Sequence, residues 1–437
     1  MLEQTPWNST LSTAPAEGSL VGLSRLKIQA WLPILALFVF ALLTSANQGF
    51  AASGGNEVYH ESITSNPVRQ ASFLGLAGMA MFLWFIAKPA TDPPTIHWSI
   101  FLPIVLLTGF LFLSILWSDE PGTTLKRAIT ASIVAVTGVA IGRVWDTRAL
   151  AWGVLAFSLL FLAASVLAEV RYRSFLMDEY RFSGLIHPIR QSFNCLCLLL
   201  ASVVLYSIER RRLFLIIIAI AILFLLMTKA RTGVIAAVLS LGWILWHVAS
   251  IRVWLLGGAV SLGLMATGLL FYEAIAVREA DVSSLAAMGR DEEQADPTKL
   301  TGRWDIWGHV LPDVLERPLL GYGFGAYWHE TRWTEFERAT GWPLYHSHST
   351  YFETALGIGV IGLLLGALVL GTTFYRTITL VRSGDDGALL TAGLIIMAVI
   401  GGVSDVAFLQ MEYESVLMMS AIGVMVFAQP ASGGAER

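Results

Sequence analysis

Charged residues are scarce in this sequence: they make up 14% of its 437 residues, while hydrophobic residues make up 55%. An ordinary soluble domain carries about 25% charged residues, so the composition excludes that class. The mean hydropathy of +0.66 indicates that lipid surrounds the chain. Apolar residues come in long runs, whereas the strands of a membrane barrel alternate in polarity. The sequence therefore predicts an all-α, polytopic membrane protein.

Cysteine is nearly absent too, with 2 residues in the whole chain. Cys195 and Cys197 lie in an apolar run where a helix directs their side chains apart, so we expect small core residues. No compact group of His, Asp and Glu has metal-ligand spacing, and no glycine-rich nucleotide loop is found. We therefore expect no metal, no cofactor and no nucleic acid as ligand, and an ATP-driven or redox enzyme is disfavoured.

Apolar runs long enough to cross a bilayer, about 20 residues each, recur along the chain. We predict about twelve of them, and an even number places both termini on one side of the membrane. Arg25 and Lys27 ahead of the first run also fit a cleaved signal peptide, although multi-span proteins usually keep this helix as an anchor. The predicted spans are residues 31–46, 71–87, 97–117, 128–142, 149–169, 192–207, 213–227, 232–249, 253–275, 350–375, 389–409 and 412–428.

One long hydrophilic loop separates the first nine spans from the last three. Its residues 277–300 are charged and poor in aromatics, whereas the following residues are dense in Trp, Tyr, Gly and Pro. The predicted organisation is a flexible cytoplasmic tail at 1–30, transmembrane helices one to nine at 31–275, the long loop at 276–349, transmembrane helices ten to twelve at 350–428 and a C-terminal tail at 429–437.

The second part of the loop combines an apolar stripe with a glycine-rich turn. The stripe predicts a short amphipathic helix, bent near Pro312, that lies on the membrane surface. Tryptophans are common at any membrane interface, so a purely structural role is the favoured interpretation for them. Gly321, Gly323 and Gly325 predict a tight turn whose backbone amides approach a ligand, or else a simple interfacial loop. The stripe consists of Trp304, Trp307, Leu311, Val314 and Leu315.

Basic residues do not fix the orientation, because the short loops on the two sides carry nine Lys or Arg residues each. A basic face on the side that should be depleted in positive charge indicates either an anionic ligand or anionic lipid headgroups. Asp405, inside the eleventh predicted span, is a further polar residue in lipid. Such acids are costly and often functional, but this one also fits a pairing with an arginine.

Two histidines stand where the long loop re-enters the membrane. His346 and His348 flank a hydroxyl residue, and Glu353 follows on the next turn. The unperturbed pKa of histidine suits proton transfer near neutrality. A lone histidine is usually structural, so the pair fits a structural role as well as an acid–base site.

Several short motifs occur in a characteristic order along the chain. They are Trp117-Ser-Asp-Glu-Pro121 with Arg127, Arg181-Phe-Ser-Gly184, Thr228-Lys-Ala-Arg231, Gly302-Arg-Trp-Asp-Ile-Trp307, Pro318-Leu-Leu-Gly-Tyr-Gly323 and His346-Ser-His348. With them the sequence resembles the O-antigen ligase and polymerase superfamily of bacterial surface-polysaccharide membrane proteins. The resemblance implies a multi-pass inner-membrane glycosyltransferase with a periplasmic loop and active site. It also implies a donor sugar on undecaprenyl diphosphate and no divalent metal.

The resemblance extends to single residues. His348 matches the conserved histidine of the superfamily, and Ser349 stands where an asparagine is expected after it. Arg303 matches the loop arginine, and Arg231 matches the arginine that opens a span. Because a sugar leaving a diphosphate produces an anion, fixed arginines must meet its charge when no Mg²⁺ does.

The resulting hypothesis divides the reaction between cations and histidines. The diphosphate is assigned to Arg231 and Arg303, supported by Arg127 or Arg181. Proton transfer from the acceptor hydroxyl is assigned to His348, oriented by His346 or Glu353. Direct displacement inverts the anomeric centre.

The acceptor and the overall process stay open at this point. A polymerase transfers the growing chain to a new repeat unit, whereas a ligase transfers it to lipid A core, and the compact loop motifs favour a polymerase. Expected partners are the bilayer, the lipid-linked oligosaccharide, the glycan or lipid A core acceptor, a chain-length regulator and export proteins. A transporter or flippase of an anionic solute and a structural subunit of an export complex are the alternatives of other classes.

Overall fold

The computed structural model describes residues 19–45, 67–91, 94–173, 175, 180–248, 303–340, 345–406, 408 and 411–429. Within these ranges the chain forms thirteen α-helices and short 3₁₀ turns, without a strand. The helices are α1 (Ser19–Ser45), α2 (Pro67–Phe85), α3 (Trp98–Leu113), α4 (Pro121–Val144), α5 (Thr147–Tyr172), α6 (Pro188–Glu209), α7 (Leu213–Met227), α8 (Arg231–Val248), α9 (Arg303–Glu316), α10 (Glu330–Thr340), α11 (Thr350–Arg382), α12 (Leu389–Gly401) and α13 (Tyr413–Phe427).

Eleven of the twelve predicted spans coincide with helices, and the ninth, 253–275, lies outside the described residues. Among the described residues, seven helical segments are long and apolar enough to cross a membrane: α2, α3 with the 3₁₀ turn that follows it, α4, α5, α6, α8 and α11. Part of α1, together with α7, α12 and α13, forms shorter apolar helices. The all-α fold of a multi-pass membrane protein is confirmed, and the count of twelve spans stays a prediction.

Several helices begin or end some residues away from the predicted span ends, and two of these differences change the predicted location of a segment or residue. Helix α1 begins at Ser19, inside the segment predicted to be a tail. Helix α12 ends at Gly401, so the prediction that Asp405 lies inside a span is wrong. The backbone N–H of Thr350 donates to the carbonyls of Gly402 and Asp405, at 2.8 and 3.1 Å, and the chain turns there to meet the start of α11.

Small residues bring α4 and α13 into backbone contact. A Cβ atom built on Gly142 would lie 2.0 Å from the carbonyl carbon of Gly423, and one built on Gly138 would lie 2.4 Å from that of Met419. Gly138 and Gly142 are four residues apart, the small-residue spacing that lets membrane helices approach closely. The last helix is therefore held at the centre of the described bundle.

Helix α6 is the most enclosed of the seven long spans, with 83% of its apolar window buried. Cys195 and Cys197 lie within it as buried free thiols, as the sequence predicted. Because α6 is packed on all sides, the residues at its N-terminal end have a rigid base. That end carries part of the candidate site.

Helix α11 is interrupted by a break at Ile358 and Gly359, where the backbone leaves helical geometry. The loop that precedes the helix fills this break, because the backbone N–H of Val360 donates to the carbonyl of Pro318 at 2.8 Å. Gly359 has a φ of 64°, and a Cβ atom there would lie 2.2 Å from the carbonyl carbon of Leu319. Glycine is thus required for the loop to enter the helix.

The amphipathic helix predicted in the long loop is α9, with Pro312 inside it, but its buried face differs from the predicted stripe. Ile306 and Val310 are the buried residues, and Trp307 and Val314 are half-buried. The other members of the stripe, Trp304, Leu311 and Leu315, are 57%, 45% and 67% exposed. One side of α9 therefore packs on the protein, and an apolar side faces outward.

Candidate functional site

The sequence motifs meet at one end of the helical bundle. The indole N–H of Trp117 donates to the carbonyl of Leu320 at 3.0 Å, and the side chain of Arg181 donates to that of Thr228 at 3.2 Å. The indole N–H of Trp307 donates to the carbonyl of Ser347 at 3.0 Å. The six motifs are far apart in sequence, and these bonds join them in pairs.

At the centre of this end lies a set of ionisable side chains that act on one another electrostatically. We call it the histidine–arginine cluster. It combines His346 and His348 before α11, Arg303 at the start of α9, and residues at or near the start of α6. Its members are His187, His346, His348, Arg181, Arg190 and Arg303.

The two predicted catalytic histidines contact each other. Their ring centroids are 4.0 Å apart, and the rings meet edge to face. The Nδ1 atom of His346 accepts a hydrogen bond from the backbone N–H of His348 at 3.2 Å. His348 has a φ of 51°, a left-handed conformation that is uncommon for a residue other than glycine. Strained backbone of this kind is typical of functional sites.

Burial and positive neighbours keep these imidazoles neutral. Burial, then the charges of Arg303 and Arg190, lower the pKa of His346 from 6.5 to about 4. Burial also lowers the pKa of His348 well below its usual value, with smaller effects from His346, Arg303 and His187. Both rings are therefore neutral near physiological pH, and a neutral imidazole can accept a proton whereas an imidazolium ion cannot.

Glu353 holds the segment between the two imidazole rings. Its Oε2 atom accepts three hydrogen bonds, from the backbone N–H of Ser347 at 3.1 Å, the hydroxyl of Ser347 at 3.0 Å and the indole N–H of Trp328 at 3.1 Å. A carboxylate with several donors is a rigid anchor. Glu353 therefore fixes the turn that presents His346 and His348.

Arg127, another of the predicted arginines, interacts electrostatically with Glu353. It lies under the glycine-rich turn, where Gly321, Gly323 and Gly325 have φ values of 65°, 99° and 69°. A Cβ atom on Gly325 would lie 2.1 Å from Cδ of Arg127. The predicted tight turn is confirmed, and the approach of its amides to a ligand stays a prediction.

A network of charges and aromatic rings attaches the loop to the turn before α4. Arg317 pairs with Asp119 at 2.8 Å, and Arg332 pairs with Asp313 at 2.8 Å. The two guanidinium groups lie 4.4 and 4.6 Å from the ring centroid of Tyr322. These contacts join three separate segments, which gives the loop a defined position beside the cluster.

Arg190 is held differently from the other arginines of the cluster. It makes two hydrogen bonds to the carboxylate of Glu414, at 3.0 and 2.6 Å, and an ion pair with Glu412. All three side chains are buried. Two carboxylates offset the charge of one guanidinium, so Arg190 is committed to structure.

The arginine that opens α8 begins its helix close to the cluster. Thr232, the residue after Arg231, accepts a hydrogen bond from the hydroxyl of Ser404 at 2.7 Å. The neighbouring Asp405 has its backbone carbonyl bound by the hydroxyl of Thr350 at 2.8 Å. Arg231, the end of α12 and the start of α11 are thus tied together.

Asp405 lies at the same end of the molecule and interacts electrostatically with Arg190 and Arg303. Among the residues that the structure describes, its carboxylate forms no ion pair within 4.0 Å, and its Oδ1 atom accepts from the backbone N–H of Val406 at 2.7 Å. A direct pairing with an arginine, one of the two interpretations of this residue, is therefore not found in the described part of the chain.

Sequence reasoning missed four residues of the site. His187 precedes a proline at the start of a span, a position typical of a helix cap. This pattern indicates a structural role for the residue and gives no sign of a chemical one. Arg190 lies two residues before the predicted sixth span, and the acids Glu412 and Glu414 open the last one. A search for apolar runs passes over charged residues at span ends, although such residues are often functional.

Within the described ranges, no group of three His, Cys, Asp or Glu side chains is arranged to hold a metal ion. The described residues of the site combine fixed cations, neutral imidazoles and buried carboxylates. Such a set suits the transfer of a group from an anionic leaving group to a hydroxyl.

Comparison with known proteins gives two matches. A family model described as O-antigen ligase matches residues 213–367. The resemblance to the O-antigen ligase and polymerase superfamily is confirmed. The exopolysaccharide production protein ExoQ of Rhizobium meliloti (strain 1021) is 25% identical over 311 residues, which cover 66% of this chain and 68% of that protein.

The O-antigen ligase match covers one part of the site. It runs from the start of α7 into α11 and so includes Arg231, Arg303, His346, His348 and Glu353. The remaining residues are supplied by other helices. Those before the match are Arg127, Arg181, His187 and Arg190, and those after it are Asp405, Glu412 and Glu414.

Proposed function

We propose that this protein is a membrane glycosyltransferase that polymerises repeat units of a surface polysaccharide carried on undecaprenyl diphosphate. The observation that carries the proposal is the pair His346 and His348, held neutral beside Arg303 at one end of the bundle. The superfamily match and the similarity to ExoQ, an exopolysaccharide production protein, support the substrate class. The proposal places this end in the periplasm, at the lipid–water boundary where a lipid-linked diphosphate resides.

The arginines are assigned to the diphosphate. Bond cleavage at the anomeric carbon leaves both electrons on the diphosphate oxygen, and its new negative charge needs fixed positive partners. Arg303 and Arg181 belong to the cluster, and Arg231 begins a helix beside it. Guanidinium groups stay charged and match phosphate oxygens in geometry, so they perform this task without a metal.

The two histidines receive different roles. Because Nδ1 of His346 accepts a backbone hydrogen bond, the proton of its neutral ring is on Nε2, and the ring acts as a donor. His348 is left as the general base that removes the proton of the acceptor hydroxyl while that oxygen attacks the anomeric carbon. Glu353 keeps both rings in position through Ser347.

Ligation to lipid A core is a second candidate. The description of the matching family model, O-antigen ligase, favours it. Donor and bond chemistry are the same in both reactions, so the site residues have the same roles. The two candidates differ in the acceptor, and the products distinguish them.

The experiment is a complementation of a deletion strain with wild type, His348→Ala or Arg303→Ala. Loss of the base should lower the transfer rate by about 10²–10⁴-fold, and loss of one cation at the leaving group by about 10²–10³-fold. Polysaccharide length on a gel and the mass of carrier-bound glycans are measured at matched protein levels. Single repeat units accumulating on the carrier indicate a polymerase, and full-length chains not attached to lipid A core indicate a ligase.

Matched controls lie at the opposite end of the bundle. His247→Ala and Arg211→Ala remove the same types of side chain far from the cluster, and both should leave the polysaccharide unchanged. Unchanged polysaccharide in His348→Ala and Arg303→Ala as well would exclude the catalytic assignment. It would then favour transport of an anionic solute or a structural role in export.

A further inference from the structure

His187 is a third histidine of the cluster, supplied by a different helix from the other two. It forms the N-cap of α6, where its Nδ1 atom accepts a hydrogen bond from the backbone N–H of Ile189 at 3.3 Å. Since Nδ1 is an acceptor, the proton of the neutral ring must be on Nε2. The ring is therefore a fixed donor through Nε2, attached to the most enclosed span.

The surroundings of His187 are those of an anion site. Burial, followed by the charges of Arg181, Arg190 and Arg303, lowers the pKa of His187 from 6.5 to about 3. The imidazole is thus neutral at physiological pH, although it lies among cations. A neutral imidazole fixed at a helix N-terminus retains its N–H and donates it to a developing negative charge, as enzymes of other classes do.

The charge of Arg190 is offset by Glu412 and Glu414, so this arginine is not the natural partner of an incoming anion. Arg181 and Arg303 approach His187 from the segment before α6 and from the start of α9. Because the charges of both guanidinium groups act on His187, we expect an anion that binds them to lie within reach of its imidazole. The imidazole would then add a neutral donor to two charged ones.

We propose that His187 is a catalytic residue that donates a hydrogen bond from Nε2–H to an oxygen of the donor diphosphate, most strongly as the leaving group gains charge. This inference rests on the proposed glycosyltransferase function. It differs from the role of His348, because His187 gives a hydrogen bond and keeps its proton. The two roles together separate leaving-group stabilisation from activation of the acceptor.

Two substitutions separate catalysis from helix capping. The side-chain oxygen of Asn stands where Nδ1 of His stands, so His187→Asn keeps the cap and loses the distant donor. The amide nitrogen of Gln reaches the position of Nε2, so His187→Gln keeps a donor and weakens the cap. Transfer of repeat units is measured in membranes with the lipid-linked donor, together with the melting temperature of each purified variant.

We expect His187→Asn to melt like wild type and to transfer about 10²-fold more slowly, the effect of one lost oxyanion donor. His187→Gln should retain a rate within about tenfold of wild type, even at a lower melting temperature. Equal rates in the two variants, whether both high or both lost, would overturn the proposal. A purely structural cap predicts the opposite order of activity.

A binding assay distinguishes this proposal from the function on which it rests. Inorganic diphosphate should raise the melting temperature of wild type and of His187→Gln, and it should raise that of His187→Asn less. If wild type binds diphosphate in this way but transfers no sugar, the glycosyltransferase proposal fails, and with it the catalytic role of His187, whereas its hydrogen bond to a bound diphosphate stands. If His187→Asn binds diphosphate as well as wild type does and transfers at the wild-type rate, the role of His187 fails alone.

Discussion

The backbone N–H of His348 donates to the Nδ1 atom of His346 over 3.2 Å. This bond makes the two histidines unequal, although the sequence presents them as a symmetric pair around a serine. One ring is oriented by the backbone of the other, and its proton is confined to Nε2. The left-handed conformation of His348, with φ of 51°, is the local geometry in which the bond forms.

The first prediction concerns the pH dependence of stability. In the folded protein the pKa of His346 is about 4, mainly because of burial, and in the unfolded chain it is near 6.5. Between these values the unfolded state binds more protons, so stability decreases as pH falls. His346 should contribute at most about 2 kcal/mol less at pH 5 than at pH 7.5, measured by unfolding in detergent.

Substitution of this histidine provides the control. His346→Gln should flatten part of the pH dependence, while His247→Gln at the opposite end should leave it unchanged. The same slope in His346→Gln as in wild type would show that the folded ring titrates normally.

The second prediction concerns the break in α11. Gly359→Ala places a methyl group 2.2 Å from the carbonyl carbon of Leu319 at a φ of 64°, so both sterics and backbone strain oppose it. We expect a loss of about 3 kcal/mol or more and a lower transfer rate, since the loop that carries Arg303 shifts. Gly366→Ala, in the same helix with no atom within 4 Å, should be neutral. Equal melting temperatures for the two variants would argue against a built-in break.

The third prediction concerns the outward face of α9. Leu311 and Leu315 are exposed and apolar, and we expect them to lie in the outer leaflet. Spin labels on Leu311→Cys and Leu315→Cys should be relaxed by oxygen, which dissolves in lipid, more than by a water-soluble nickel chelate. Asp305→Cys, on the polar side of the helix, should give the reverse. The native Cys195 and Cys197 are buried, which favours selective labelling of the new thiols.

Much of the fold follows from the sequence because lipid imposes a simple rule. An apolar run of sufficient length must be helical, since its backbone has no other hydrogen-bond partner in a membrane. The same rule explains the error at Asp405: an apolar average over 389–409 does not detect that the glycines at 401 and 402 end the helix. Likewise, the pattern of α9 revealed an apolar stripe but not which residues of it face the protein.

The sequence identifies a site residue only where the type of that single residue, and its position in a loop, already suggest a chemical role. His346, His348 and Arg303 are ionisable residues of the long hydrophilic loop, and the structure places them together. The pairing of Arg190 with Glu412 and Glu414 depends on how the first turns of α6 and α13 meet, across more than 200 residues. Local sequence patterns contain no information on such contacts. Similarly, the sequence predicts that Glu353 helps to orient the proton transfer by His348, but its bonds to Ser347 appear only when the turn is seen in three dimensions.

The guanidinium groups of the cluster are anchored near helix ends. Their positive charge stays the same throughout the proposed reaction, because they lose no proton and no metal ion leaves the site. The spent lipid diphosphate has one more ionisable oxygen than the donor, so fixed cations hold it more tightly than they held the donor. Departure of the carrier, rather than sugar transfer, is then expected to limit turnover, as product release does in many enzymes. The rate of polysaccharide synthesis would then depend on how readily the spent carrier diffuses away in the membrane.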